Sequence, residues 1–112
     1  MEDKRETLRA RLDVYLNQFI DGTPYMARSS NISNQGLSFA HLLEPAIEKK
    51  SIGLQFQLPG SDEIIYAEGH VIRKWGTDGV EATTEVNGSA VRFTLLTERH
   101  RKLIHAFVAH AP

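Results

Sequence analysis

Five clusters of turn-forming residues divide this 112-residue chain at short, fairly regular intervals. Glycine supplies backbone conformations with positive φ, and Asn or Asp closes Asx-type turns, so each cluster has a physical reason to reverse the chain. The clusters lie at residues 21–24, 34–36, 59–62, 76–79 and 87–88. We therefore expect the segments between them to be strands.

The hydrophobic pattern within these segments supports that expectation. Apolar residues occupy alternating positions over 12–16, 52–58 and 91–95, as expected of half-buried antiparallel strands. The longest segment, 63–75, has Gly69 near its middle, which predicts a bulge or bend in that strand. Residues 3–11 precede the first alternating run, and we favour a loop that leads into it. A helix is the alternative, because Leu8, Leu12 and Tyr15 would share one helical face.

The C-terminal segment has a different periodicity. Thr97 can cap a helix, and the apolar residues that follow recur at spacings of three and four. They are Leu103, Ile104, Phe107 and Val108. The pattern predicts a helix over about residues 97–110. Six or seven strands followed by one helix predict a small, mostly antiparallel β-barrel, covered at one end by the helix.

Composition limits the function classes. At 41% apolar residues the chain can bury one core, and it has no cysteine for a disulfide or thiolate site. The formal charge of −1 provides no general attraction for nucleic acid or an anionic membrane. The apolar runs are far shorter than the ~20 residues needed to cross a bilayer, and the charged N-terminus leads into no apolar segment. We expect a cytoplasmic protein that inserts in no membrane and binds no nucleic-acid polymer.

Neither catalysis nor metal binding has a candidate group of residues. None of the five histidines forms the i, i+4 pair with an acidic neighbour that is typical of a zinc site on a helix. The sequence also has no glycine-rich phosphate loop, nucleophile elbow or paired carboxylates. We therefore expect neither an enzyme nor a metalloprotein.

Two short polar motifs point to a ligand. Arg5 and Arg9 lie near the N-terminus, and the sequence Asn-Ile-Ser-Asn-Gln-Gly, at residues 31–36, begins 22 positions after Arg9. Arginine can bind phosphate oxygens bidentately, pair with guanine O6 and N7, and stack on a base. Asn31 and Ser33 share strand parity, so their side chains would reach a guanine edge together. This combination suits a phosphate-linked guanine nucleotide.

The order and spacing of these motifs resemble the PilZ domain, the bacterial receptor family for cyclic di-GMP. Its signature is Arg-x-x-x-Arg before the first strand and Asp/Asn-x-Ser-x-x-Gly about twenty residues later. The resemblance extends over residues 36–39, 69–73 and 90–93 and the terminal helix. It implies a barrel domain over residues 12–112, preceded by a flexible arginine-bearing segment, residues 1–11.

The resemblance also implies roles for individual residues. Arg5 and Arg9 would clamp phosphate and guanine, Asn31 and Ser33 would read a guanine edge, and Gly36 would let the backbone turn tightly beside the ligand. Where the commoner signature has aspartate, Asn31 offers one carbonyl oxygen and no charge. Binding is then expected to weaken by about 1 kcal/mol, the value of one hydrogen bond, or by more for the lost charge.

Four further residues are candidates for ligand contacts. Lys4 would help to bind phosphate, and Arg11 is an alternative to Arg9. Arg73 and Trp75 share strand parity near the end of the long strand, where Trp75 would stack on a base. A surface arginine and a packing tryptophan are the alternatives for these last two residues.

Binding would order residues 1–11 across the barrel, and an unidentified downstream protein would read the changed surface. The alternative is a PilZ-like protein-interaction module with weak or no cyclic di-GMP binding, for which a homodimer is one form.

Overall fold

The computed structural model describes residues 8–42, 49–75 and 87–111, except for the side chain of Trp75. Within these ranges the chain forms seven strands and one helix. In order they are β1 (Arg9–Arg11), β2 (Tyr15–Ile20), β3 (Thr23–Ser33), β4 (Gly36–His41), β5 (Ser51–Gln57), β6 (Ile64–Trp75), β7 (Gly88–Leu96) and α1 (Glu98–Ala109).

Six of these strands close into an antiparallel barrel. The pairings follow the circuit β2, β3, β4, β7, β6, β5 and back to β2, and β1 is an additional strand paired with β3. The prediction of a six- to seven-stranded antiparallel barrel with a C-terminal helix is confirmed. Buried side chains fill the barrel, among them Ile32, Phe39, Leu54 and Ile65.

The helix covers one part of this core. The Thr97 hydroxyl accepts a hydrogen bond from the His100 N–H at 3.2 Å and caps the first turn. Ile104 and Val108, four positions apart, are buried, and the helix packs against β3 and β1. The packing places α1 next to β1, the strand that carries Arg9 and Arg11. The one helix in the described ranges, α1, is not long and apolar enough to cross a membrane.

The beginning of the barrel differs from the prediction. Residues 9–11 form a strand, β1, where a loop was expected. Residues 12–14, which were predicted to begin the first strand, are not part of any strand and separate β1 from β2. The buried Ser29 hydroxyl donates to the Leu12 carbonyl at 2.5 Å and accepts from the Val14 N–H at 3.0 Å. The Ser29 side chain thus takes the place of a backbone group of β3 as the partner of the Leu12 carbonyl and the Val14 N–H. The strand ladder is interrupted at this point, and β1 and β2 are separate strands.

The predicted irregularity at Gly69 is confirmed, although its extra residue, Thr94, lies on the paired strand β7. The β6–β7 register shifts between Glu68 and Gly69. A Cβ on Gly69 would lie 2.2 Å from Cγ1 of Val91, so β7 approaches closely here. A second shift lies between Val71 and Arg73, and it leaves Ile72, 57% exposed, as the extra residue of a bulge on the barrel surface.

Candidate ligand-binding site

The Asn-x-Ser-x-x-Gly motif forms the hairpin between β3 and β4. Strand β3 ends at Ser33, β4 begins at Gly36, and the two residues between them make the turn. The Ser33 hydroxyl accepts a hydrogen bond from the Gln35 N–H at 3.1 Å and lies 3.5 Å from the Gly36 carbonyl, to which it donates. Ser33 therefore holds the turn in shape.

Gly36 has a different role from the one expected of it. It is not among the described residues with positive φ, which are Asp21, Gly22 and Gly60. A Cβ on Gly36 would instead lie 2.0 Å from the Val91 carbonyl oxygen. Gly36 is thus needed because the β7 backbone approaches β4 closely.

The second arginine of the N-terminal motif, Arg9, meets this hairpin through β1. Arg9 is paired with Ser33 and Arg11 with Asn31 in the antiparallel ladder. Residues directly opposite each other share one face of a sheet, and the intervening Ala10 is buried. The exposed Arg9 and Arg11 therefore stand on the outer face beside the two polar residues of the hairpin.

A surface pocket of about 260 Å³ lies where β1, β3, β4 and β7 meet. Its lining contains four of the predicted site residues, which are Arg9, Asn31, Ser33 and Gly36. The other described lining residues are Gln35, Leu37, Ser38, Ile72, Ala90, Val91 and Arg92. The fold thus brings together residues from both motifs, and we call this the ligand pocket.

The remaining candidates are placed elsewhere. Arg11 is exposed on β1 but does not line the ligand pocket. Arg73 lines a separate pocket, described below. Trp75 pairs with Gly88 through its backbone, and its side chain lies outside the described part of the molecule. Lys4 and Arg5 also lie outside the described residues.

Arg92 also lines the ligand pocket, although the sequence did not predict it there. It is exposed on β7, directly opposite Gly36 on β4 and His70 on β6. The only signal for Arg92 in the sequence is its position between the apolar residues Val91 and Phe93, which places it on the opposite face of the strand. Parity shows that Arg92 faces outward, but not that β7 lies beside β4.

The charges of the ligand pocket suit an anion. Arg9 and Arg92 are the ionisable residues among its described lining, which includes no carboxylate. Asn31, Gln35 and Ser38 add amide and hydroxyl groups that can donate or accept hydrogen bonds. The described residues contain no group of three or more side chains suited to holding a metal ion. The arrangement can therefore bind an anionic ligand that also presents hydrogen-bonding edges.

A family comparison matches the PilZ domain over residues 3–110. The chain belongs to the PilZ domain family. The matched range includes both motifs and all seven described strands. A comparison with curated proteins found no match.

Solved structures of PilZ proteins share the fold. The Bacillus subtilis inhibitor of motility MotI/DgrA superposes with a TM-score of 0.77 at 15% identity, over 96% of this chain and 51% of that one. The PilZ domain of Escherichia coli YcgR with c-di-GMP superposes with a TM-score of 0.69 at 13% identity, over 96% and 90%. The c-di-GMP complex of YcgR itself gives 0.64 at 13%, over 96% and 45%. This PilZ domain thus spans about half the length of MotI and of YcgR.

Proposed function

We propose that this PilZ domain is a cytoplasmic receptor for cyclic di-GMP that passes the signal to a partner protein and catalyses no reaction. The observation that carries the proposal is the pairing of Arg9 with Ser33, which joins the two motifs at one pocket. The family supports it, since its structures include a PilZ domain with c-di-GMP.

The pocket chemistry matches the parts of this ligand. Cyclic di-GMP has two phosphates and two guanines, and guanidinium groups recognise both phosphate oxygens and the O6/N7 edge of guanine. In the proposal Arg9 and Arg92 bind these groups, while the Asn31 carbonyl oxygen accepts one hydrogen bond from the guanine N1–H or N2–H. Ser33 and Gly36 support the hairpin from which Asn31 extends.

The size of the pocket suggests a site in two parts. Its volume of about 260 Å³ is below the roughly 300–1,000 Å³ typical of pockets that enclose a drug-sized ligand. In the proposal the rest of the nucleotide is covered by the N-terminal segment, which carries Arg5, with Lys4 as a further phosphate contact. Binding would order that segment over the barrel, and the partner would read the new surface.

Titration calorimetry with cyclic di-GMP tests the proposal, with GTP at the same concentrations as the control. We expect saturable heat with cyclic di-GMP and little with GTP, because GTP has only one guanine and a differently placed set of phosphates. An absence of heat up to high micromolar cyclic di-GMP would refute the receptor function.

A second candidate function is a protein-interaction module that needs no nucleotide. A pocket of about 600 Å³ lies between β2 and β5, and its lining includes the exposed side chains of Tyr15, Met26 and Ile64. Exposed apolar surface of this kind is typical of protein contacts. This function predicts a homodimer or a complex whose elution in size-exclusion chromatography does not change when cyclic di-GMP is added.

A further inference from the structure

A second, basic pocket adjoins the ligand pocket. It has a volume of about 440 Å³, and we call it the basic pocket. Its described lining consists of Lys49, Lys50, Val71, Ile72, Arg73 and Lys74, so four of these six residues are cationic and none is acidic. Ile72 lines the ligand pocket as well. The two pockets therefore share a wall.

Backbone pairing explains how the cations come together. The β5–β6 ladder pairs Ser51 with His70, and beyond it the Val71 N–H donates to the Lys50 carbonyl at 2.7 Å. Residues 49–50, just before β5, thus continue alongside β6 next to Val71. The bulge at Ile72 adds an exposed aliphatic side chain between the two basic pairs.

We propose that the basic pocket binds an acidic segment of the partner protein. The inference rests on the receptor function proposed above and gives that partner a chemical character. In a chain of formal charge −1, four cations around one concave site are a local excess of positive charge. Carboxylates of an incoming segment would pair with them, and an aliphatic side chain would pack on Val71 and Ile72.

The existing contacts of these cations are compatible with exchange. Lys49 lies 3.6 Å from the Asp21 carboxylate, and both side chains are about half exposed. Exposed ion pairs of this kind are weak, because water screens them and holding two long side chains costs entropy. Arg73 and Lys74 also make interactions within the chain, so an acidic segment would share or exchange these contacts.

The shape of the pocket favours a protein segment over a lipid surface. A bilayer presents a flat array of charges and would contact only the rim of a concave site. The net charge of −1 also gives no general attraction to an anionic membrane. A peptide, in contrast, can place both a carboxylate and an apolar side chain into the pocket.

The test is fluorescence anisotropy of the full chain with a labelled twelve-residue peptide made of Glu-Glu-Leu repeats, at low salt. We expect saturable binding, weaker by roughly fivefold in the double variant Lys49→Gln/Lys50→Gln, because two charge contacts are removed. The matched control is Arg101→Gln/Lys102→Gln, which removes the same charge from the exposed surface of α1 and should bind as the native chain does. A peptide with Gln in place of Glu should bind much more weakly.

Several outcomes would overturn the proposal. One is that the native chain does not bind the peptide, and another is that the Lys49→Gln/Lys50→Gln variant binds it equally well. A third is that the native chain binds phosphatidylserine vesicles but not the peptide, and that the variant loses the vesicle binding. Calorimetry with cyclic di-GMP on the same variant separates the two proposals. If the native chain binds cyclic di-GMP but not the peptide, only the docking site is refuted, whereas an absence of nucleotide binding by the native chain refutes the receptor function. A variant that keeps native nucleotide affinity and loses peptide binding supports the docking site.

Discussion

Arg9 on β1 lies directly opposite Ser33 on β3, and the two residues share the outer face of the barrel. Directly opposed side chains have Cβ atoms about 4.5–5.5 Å apart. The second arginine of the N-terminal motif is therefore a neighbour of the serine of the hairpin motif, although many residues separate them in sequence. Both residues line the ligand pocket, so one ligand there can contact both.

Replacing Arg9 by alanine is expected to weaken cyclic di-GMP binding by about 10- to 100-fold. Hydrogen bonds to charged groups contribute roughly 1.5–3 kcal/mol, and each 1.4 kcal/mol is a factor of ten. Arg9→Lys should be intermediate, because lysine keeps the charge but loses the bidentate geometry. Calorimetry measures both variants, with Arg101→Ala on α1 as the control. Native affinity in Arg9→Ala would remove Arg9 from the site.

Arg92→Ala is expected to weaken the same binding by roughly three- to tenfold. Arg92 lies across from Gly36 and supplies the second positive charge of the described pocket lining. Arg92 is exposed, and water screens surface charges, so a single contact from it is expected to contribute less than a bidentate one. Calorimetry at low and high salt checks this, because the loss should shrink as salt rises. A loss that is independent of salt would contradict a phosphate contact.

Local patterns predicted the strands, but pairing decides the site. Alternating apolar residues indicated the barrel, Gly69 indicated its bulge, and Thr97 indicated the helix. These features depend on nearest neighbours in sequence. The strand at Arg9 was missed because three residues with one buried alanine carry too little periodicity. Arg92 was missed because its place beside Gly36 depends on which strand pairs with β4.

Gly36→Ala is expected to destabilise the fold by roughly 1–3 kcal/mol, the usual cost of overpacking. The added Cβ would meet the Val91 carbonyl oxygen, a backbone atom that moves only if β4 and β7 separate. The matched control is Gly53→Ala, whose Cβ would meet the hydroxyl of Tyr66, an exposed side chain that can rotate away. Urea denaturation measures both. Equal losses in the two variants would contradict this role for Gly36.

Ser29→Ala is expected to cost about 1–3 kcal/mol, because it leaves the Leu12 carbonyl and the Val14 N–H, in the segment between β1 and β2, without their hydroxyl partner on β3. The neighbouring Ser30 is exposed, and its hydroxyl donates to the Ser38 carbonyl at 3.2 Å. Ser30→Ala should therefore change stability by no more than about 0.5 kcal/mol. Urea denaturation compares the two, and a larger loss for Ser30→Ala would contradict the prediction.

The ion pair between Glu63 and Arg99 is expected to make stability depend on pH. The guanidinium of Arg99 donates to both carboxylate oxygens of Glu63, at 2.7 and 2.8 Å, and ties α1 to the start of β6. The hydrogen bonds from Arg99, with a smaller contribution from His100, hold the pKa of Glu63 below its ordinary value of 4.5. A carboxyl whose pKa is lower in the folded state adds stability above its unfolded pKa, and this stability is lost as pH falls through the folded pKa.

Glu63→Gln should therefore melt at a lower temperature than the native chain at pH 7, by a small amount because the pair is near the surface. The difference should shrink below pH 4.5 and vanish once Glu63 is protonated in the folded native chain. Circular dichroism melting curves between pH 7 and roughly pH 3 check this. Glu98→Gln is the control, since its contact with Arg101 is longer, at 3.9 Å. A difference in melting temperature that stays constant with pH would show that Glu63 acts through packing and not through its charge.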